Sequence, residues 1–146
     1  ARLSSHDPTD IHVALESAVL QLRASKHSPQ ELSTLAWACA MLGVTDTRLC
    51  HELAKQAYLQ ISDFDLQGLL LLAWGTAAFV FEVKLSCAIQ NEVAMRLQQV
   101  DPHCCPQAVW RKIAKVALGT VWSYNFAGRI SDALLVSARS TLRRGG

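Results

Sequence analysis

Charge is scarce in this chain. Only 18% of its 146 residues are Asp, Glu, Lys or Arg, against 51% apolar. The acids are scattered one per turn or fewer, with no pair that burial would split into a catalytic acid and base. There is no phosphate-binding glycine loop and no Gly-x-Ser-x-Gly elbow, and His51-Glu52 lacks the second histidine of a zinc-protease helix. The chain is therefore expected not to be an enzyme. Long apolar runs are missing too. The uncharged stretch from Leu66 to Phe81 is 16 residues, where a spanning helix needs about 20, so it reads as a helix buried in a stack rather than a membrane span. No window alternates apolar and polar residues as a strand would. The five cysteines are odd in number and lack paired spacing, which implies neither a disulfide framework nor a zinc ribbon and fits a reducing compartment best. His103-Cys104-Cys105 is the cluster with ligand chemistry, and Cys50-His51 could approach it, but adjacent ligands do not readily point at one tetrahedral ion. No metal or cofactor is expected. Cys39, Cys50 and Cys87 fall on or beside apolar stripes and read as small core fillers.

What is present is a repeat. Gln, Leu, Leu, Ala, Trp and Ala recur at matching places in Gln30 to Ala40 and Gln67 to Ala77, which sets Trp37 and Trp74 37 residues apart. A period in this range belongs to stacked helical hairpins, in which each unit buries its apolar face only against its neighbours. A second stripe with a period of four, Leu49, Leu53, Ala57 and Ile61, returns 36 residues later as Leu85, Ile89, Val93 and Leu97. Further copies are Ile11, Leu15, Val19 and Ile130, Leu134, Ala138, Leu142; only a helix aligns residues at this spacing. Trp122 has Gly128 six residues on, as Trp37 has Gly43, and marks a weaker third copy of the first helix. The stripes make Trp37, Trp74 and Trp122 expected core residues at the joints between hairpins. Trp110, off the repeat, is expected to be exposed or to cap the stack.

Local signals agree. Ser28-Pro29-Gln30-Glu31 is a capped helix start with proline where its missing N–H does no harm; Asp7-Pro8 and Cys105-Pro106 read similarly. Gly43 and Gly128 suit the left-handed residue that ends a helix. Asp63 and Asp65 flank Phe64 at another start, where capping explains them. Helices are expected near 8–24, 29–42, 46–61, 65–80, 83–99, 106–126 and 130–143, the turn between Phe81 and Leu85 being the least marked. The reading is a single all-α domain over 1–146: one leading helix, then three hairpins at about 28–62, 63–100 and 105–143. Its high apolar share implies that part of the surface is covered by a partner or by further chain. Ala1 to His6 is too short and polar for a signal peptide, and the missing initiator Met suggests a processed or trimmed chain.

Charge is divided along the chain. Residues 1–101 hold 7 Lys/Arg and 11 Asp/Glu; residues 102–146 hold 7 Lys/Arg and a single acid, Asp132. Arg111, Lys112 and Lys115 on one helical arc, with Arg139, Arg143 and Arg144 on the last helix, are the candidate phosphate contacts. Trp110 and Tyr124 are candidate stacking faces for unpaired bases. The plainer alternative is a solvated cationic helix end that complements its own dipole, as Arg143 and Arg144 would.

Pro29 to Gly43 resembles the signature helix of octotricopeptide repeats and the related FAST-kinase-like, RAP-associated repeats, with their Leu-x-x-x-x-Trp-Ala-x-Ala-x-Leu-Gly pattern met from Leu32 to Gly43. The second copy departs at Gly75, Phe79 and Val80, and the third at Ser123 and Asn125. The resemblance covers about residues 10–143. It implies a right-handed α-solenoid in a mitochondrion or plastid, soluble or peripheral to a large complex, binding single-stranded or ribosomal RNA in a ribonucleoprotein. A structural subunit of a ribosome, photosynthetic or respiratory assembly, acting through protein contacts, is the alternative. A peptide adaptor ranks last, because no Asn ladder is present.

Overall fold

The helix that carries the clearest sequence signals also shows how the chain is punctuated. In α2 (Pro29–Leu42), Ser28 Oγ accepts from the Glu31 N–H at 3.2 Å and Pro29 opens the first turn. Gly43, at φ 68°, closes it: its N–H reaches Ala40 O and that of Val44 reaches Cys39 O. This pair of bonds is a Schellman end. Gly128, at φ 71°, closes α6 (Gln107–Phe126) in the same way, with Gly128 N–H on Asn125 O and Arg129 N–H on Tyr124 O.

A computed structural model describes residues 8–44, 46–77 and 83–145. Among them are α1 (Pro8–Ala24), α2, α3 (Thr47–Leu59), α4 (Leu66–Thr76), α5 (Val83–Gln99), α6 and α7 (Asp132–Gly145), two 3-10 turns at Ile61–Asp63 and Pro102–Cys104, and no strand. The protein is all-helical. Asp46 and Asp65 cap α3 and α4, the latter accepting from Gly68 N–H at 2.6 Å. The α4 helix is described as far as Thr76, with Ala77 in a turn; the expected continuation to residue 80 and the turn from Phe81 lie outside the described residues. So do Asp7 and the side chains of Ile11 and Leu15.

The helices form two layers. α2 packs on α4 and α4 on α6; α1 packs on α3, α3 on α5 and α5 on α7. The recurring stripe is the core of the second layer: Leu49, Leu53 and Ala57 of α3, Leu85, Ile89, Val93 and Leu97 of α5, and Leu134 and Ala138 of α7 are buried. In the first layer, small residues let the backbones approach. A Cβ on Gly75 would stand 2.5 Å from the Ala36 carbonyl and 2.9 Å from Trp37 N. This explains why the second repeat has glycine there. Buried hydroxyls pass as small apolar groups by bonding within their own helix, Thr76 to Leu72 O, Thr120 to Val116 O and Ser123 to Gly119 O.

Polar side chains then fasten each second-layer helix to the end of the one before it. In α3, Gln56 donates to Leu22 O and to Ser25 O at 3.2 Å, and just past its end the capping residue Gln60 donates to His27 O at 2.9 Å. In α5, Arg96 donates to Ser62 O at 3.0 Å. In α7, Thr141 and Arg144 each donate to Leu97 O at 3.2 Å. These carbonyls lie at and beyond helix ends, where the helix ladder runs out, and a donor from the next helix of the same layer reaches them.

Candidate nucleic-acid interface

Of the seven cations of the last hairpin, Arg129 lies in the α6–α7 turn, and the other six fall in the first half of α6 and the second half of α7. Since α6 and α7 are consecutive antiparallel helices, the first turns of α6 lie beside the last turns of α7, which also touch the 3-10 turn before α6. Arg111, Lys112 and Lys115 on α6 and Arg139 and Arg143 on α7 are exposed. None of the five makes an ion pair among the described residues, whereas Arg23 pairs with Glu52, Arg48 with Glu16 and Asp46, and Arg96 with Glu92. The α6 helix contains no acid at all. An uncompensated cluster of this kind attracts anions and suits phosphate oxygens.

Arg144 is different. Its guanidinium donates to Leu97 O and Thr141 Oγ1 at 3.2 Å and to Val100 O at 3.4 Å, so it is committed to the end of α5. Nearby, the His103 N–H first and then the Cys104 thiol hold the Asp101 carboxyl below its ordinary range, with the Arg144 charge a lesser cause. The same thiol bond raises Cys104. Among the described residues no three His, Cys, Asp or Glu side chains gather as a metal ligand set.

The aromatic side chains correct the sequence reading. Trp110, expected to be exposed or to cap the stack, is half-buried against the core and so not fully exposed: it shares a stripe with Ile113, Ala117, Thr120 and Tyr124. Tyr124, expected as a stacking face, is 0% exposed and cannot meet a base. Burial pushes its phenol far above the ordinary tyrosine value, although the Ser86 and Thr76 hydroxyls nearby pull it part of the way back. By contrast, Trp37 is 40% exposed, Trp74 38% and Trp122 58%. The motif buries Ala36 and Ala73, and the next residue, 100° further round, lies at the rim. Trp37 and Trp74 do meet across the α2–α4 seam, rings 6.5 Å apart and tilted by 32°, but on its outer side. Trp122 stacks on Phe126 at 5.5 Å and 18°. Cys39 and Cys50 are buried as expected, and burial raises the Cys39 thiol, but Cys87 is exposed because the α5 core stripe turns away from it.

Open grooves flank this layer. One of about 450 Å³ runs between the start of α2 and the α3–α4 turn, lined by Ser28, Ser33, Asp63, Asp65 and Gln67. Its acids repel an anion, which separates it from the basic end. Compared with known proteins, the chain matches no family model, no curated protein sequence and no solved structure.

Proposed function

We propose that this chain is a right-handed α-solenoid of about three hairpins preceded by one helix, and that it binds RNA without catalysis. In this reading the protein works in an organellar ribonucleoprotein, and Arg111, Lys112, Lys115, Arg139 and Arg143 neutralise RNA phosphates. The observation that carries the RNA reading is the set of five exposed cations, unpaired among the described residues, in the first half of α6 and the second half of α7, three of them on a helix without acids. The two layers of like helices, each packed on its neighbour in chain order, support the solenoid. Arg144 belongs to the fold, and Trp110 serves the site only by supporting the start of α6 from within.

The charge reversal Arg111→Glu, Lys112→Glu and Lys115→Glu tests this. Binding of a short uridine-rich single strand, followed by fluorescence anisotropy, is expected to collapse at moderate salt. In the natural chain, each phosphate contact contributes about 0.7 to the slope of log affinity against log salt, so three contribute about 2. Unchanged affinity in the triple variant would overturn the reading.

A second reading, a scaffold subunit held by protein contacts, draws on Leu42, Leu59 and Val136, which are exposed on helices of both layers. It predicts a chain that self-associates when purified alone and shows no salt-dependent affinity for oligonucleotides.

A further inference from the structure

We propose that the outer face of the α2–α4–α6 layer is a stacking platform for the bases of single-stranded RNA, with Trp37 and Trp74 as one surface and Trp122 and Phe126 as another. This rests on the RNA reading above and adds to it the groups that take the bases. Large aromatic rings are the side chains that gain most from burial, yet these four stay 38–81% exposed and lie in pairs whose rings hold one another in place. A base is an aromatic partner that covers such a ring whatever its sequence.

The cations continue the same strip. Arg111, Lys115, Leu118, Trp122 and Phe126 follow one arc of α6, opposite the buried arc of Ile113, Ala117, Thr120 and Tyr124. At a rise of about 1.5 Å per residue, Lys115 is roughly 10 Å and Arg111 roughly 16 Å from Trp122 along the axis, within the length of a short oligonucleotide. Charge also divides by layer. The helices α2, α4 and α6 contain one acid, Glu31, while Asp10, Glu16, Glu52, Glu92 and Asp132 all lie on the other four. A protein partner would cover exposed indoles equally well. It would not call for unpaired cations on the same arc and an almost acid-free layer, whereas a polyanion with aromatic bases calls for both.

The test compares a uridine-rich strand with an abasic strand of the same length, reading affinity by anisotropy and contact by indole emission. Stacking predicts quenched emission with the base-bearing strand only, and about tenfold tighter binding of it than of the abasic strand. Trp37→Ala with Trp74→Ala, or Trp122→Ala with Phe126→Ala, should remove most of that preference and leave the salt slope unchanged. The second pair lies on the most exposed part of α6, so it remains informative if the first loosens the α2–α4 seam. If both strands bind equally and emission does not change, the stacking platform is refuted while the phosphate reading survives. If neither strand binds, both fall. If base preference persists in both double variants, the bases bind elsewhere and the stacking platform is refuted.

Discussion

At the scale of single residues, position on the helix circumference decides what each side chain does. Gly75 faces the α2 backbone so closely that a methyl group would strike the Ala36 carbonyl, which is main chain and cannot swing aside. Gly75→Ala is expected to destabilise the fold by about 2 kcal/mol or more, since overpacking forces the helices apart; chemical denaturation would measure it. Gly119 is more forgiving, because its nearest neighbour is the Leu70 side chain. Tyr124 presents the opposite case: its hydroxyl and that of Ser86 are buried without a hydrogen bond of good geometry. Tyr124→Phe should therefore stay within about 1 kcal/mol of the natural chain. The phenol has a second consequence. Its folded pKa lies above the ordinary 10.0, so the stability it supports is complete below that value and drains away as pH rises beyond it. Alkaline unfolding should begin near this point, and Tyr124→Phe should move it upward; circular dichroism against pH would show either result.

At the scale of elements, boundaries were legible because their chemistry is local. Ser28 bonds three residues ahead, Asp65 likewise, and Gly43 and Gly128 adopt the conformation that glycine alone enters freely. Asp65→Ala is expected to cost about 1 kcal/mol by thermal denaturation, and Gly43→Ala about 1–2 kcal/mol, although nothing crowds the added methyl, because the strain is in the backbone. Asp46 links this scale to pH. The Arg48 guanidinium first, then the Leu49 N–H, hold its carboxyl below the ordinary 3.8. A depressed carboxyl supports the fold fully above its unfolded value and loses that support as pH falls through the folded one. Acid titration of Asp46→Asn should then show a smaller decline below pH 3.8 than the natural chain does. Circumferential phase was harder to read. A tryptophan recurring every 37 residues establishes a repeat equally well from the core or from the rim. The informative sign lay inside α6, where Trp110 is in step with Ile113 and Ala117 while Trp122 is in step with Arg111 and Lys115.

At the scale of the whole molecule, the helical content and the second-layer core were foreseeable, because stripes with a period of four record which face is buried. The basic end was foreseeable from charge alone. The duty of Arg144 was not, since its carbonyl partners come from residues 44 and 47 positions earlier, beyond any local pattern. Substituting it should therefore affect stability more than RNA affinity: Arg144→Ala is expected to lower the melting temperature by a few degrees, consistent with the loss of about 1 kcal/mol, and to leave oligonucleotide binding nearly unchanged.

The backward-reaching donors of α3, α5 and α7 give the molecule a direction. Deleting α1 would deprive no other helix end of its donor. Deleting α7 would take Arg144 from Val100 O and both Thr141 and Arg144 from Leu97 O, leaving the latter only the Val100 N–H at 3.4 Å, and, by loosening α5, put the hold of Arg96 on Ser62 at risk. Truncations from the two termini are thus not equivalent: loss of α7 takes donors from the end of α5, loss of α1 takes none from any helix end, and α5 is the element tied both ways, since its Gln90 also grips Arg129 O and the Ser131 N–H ahead of it.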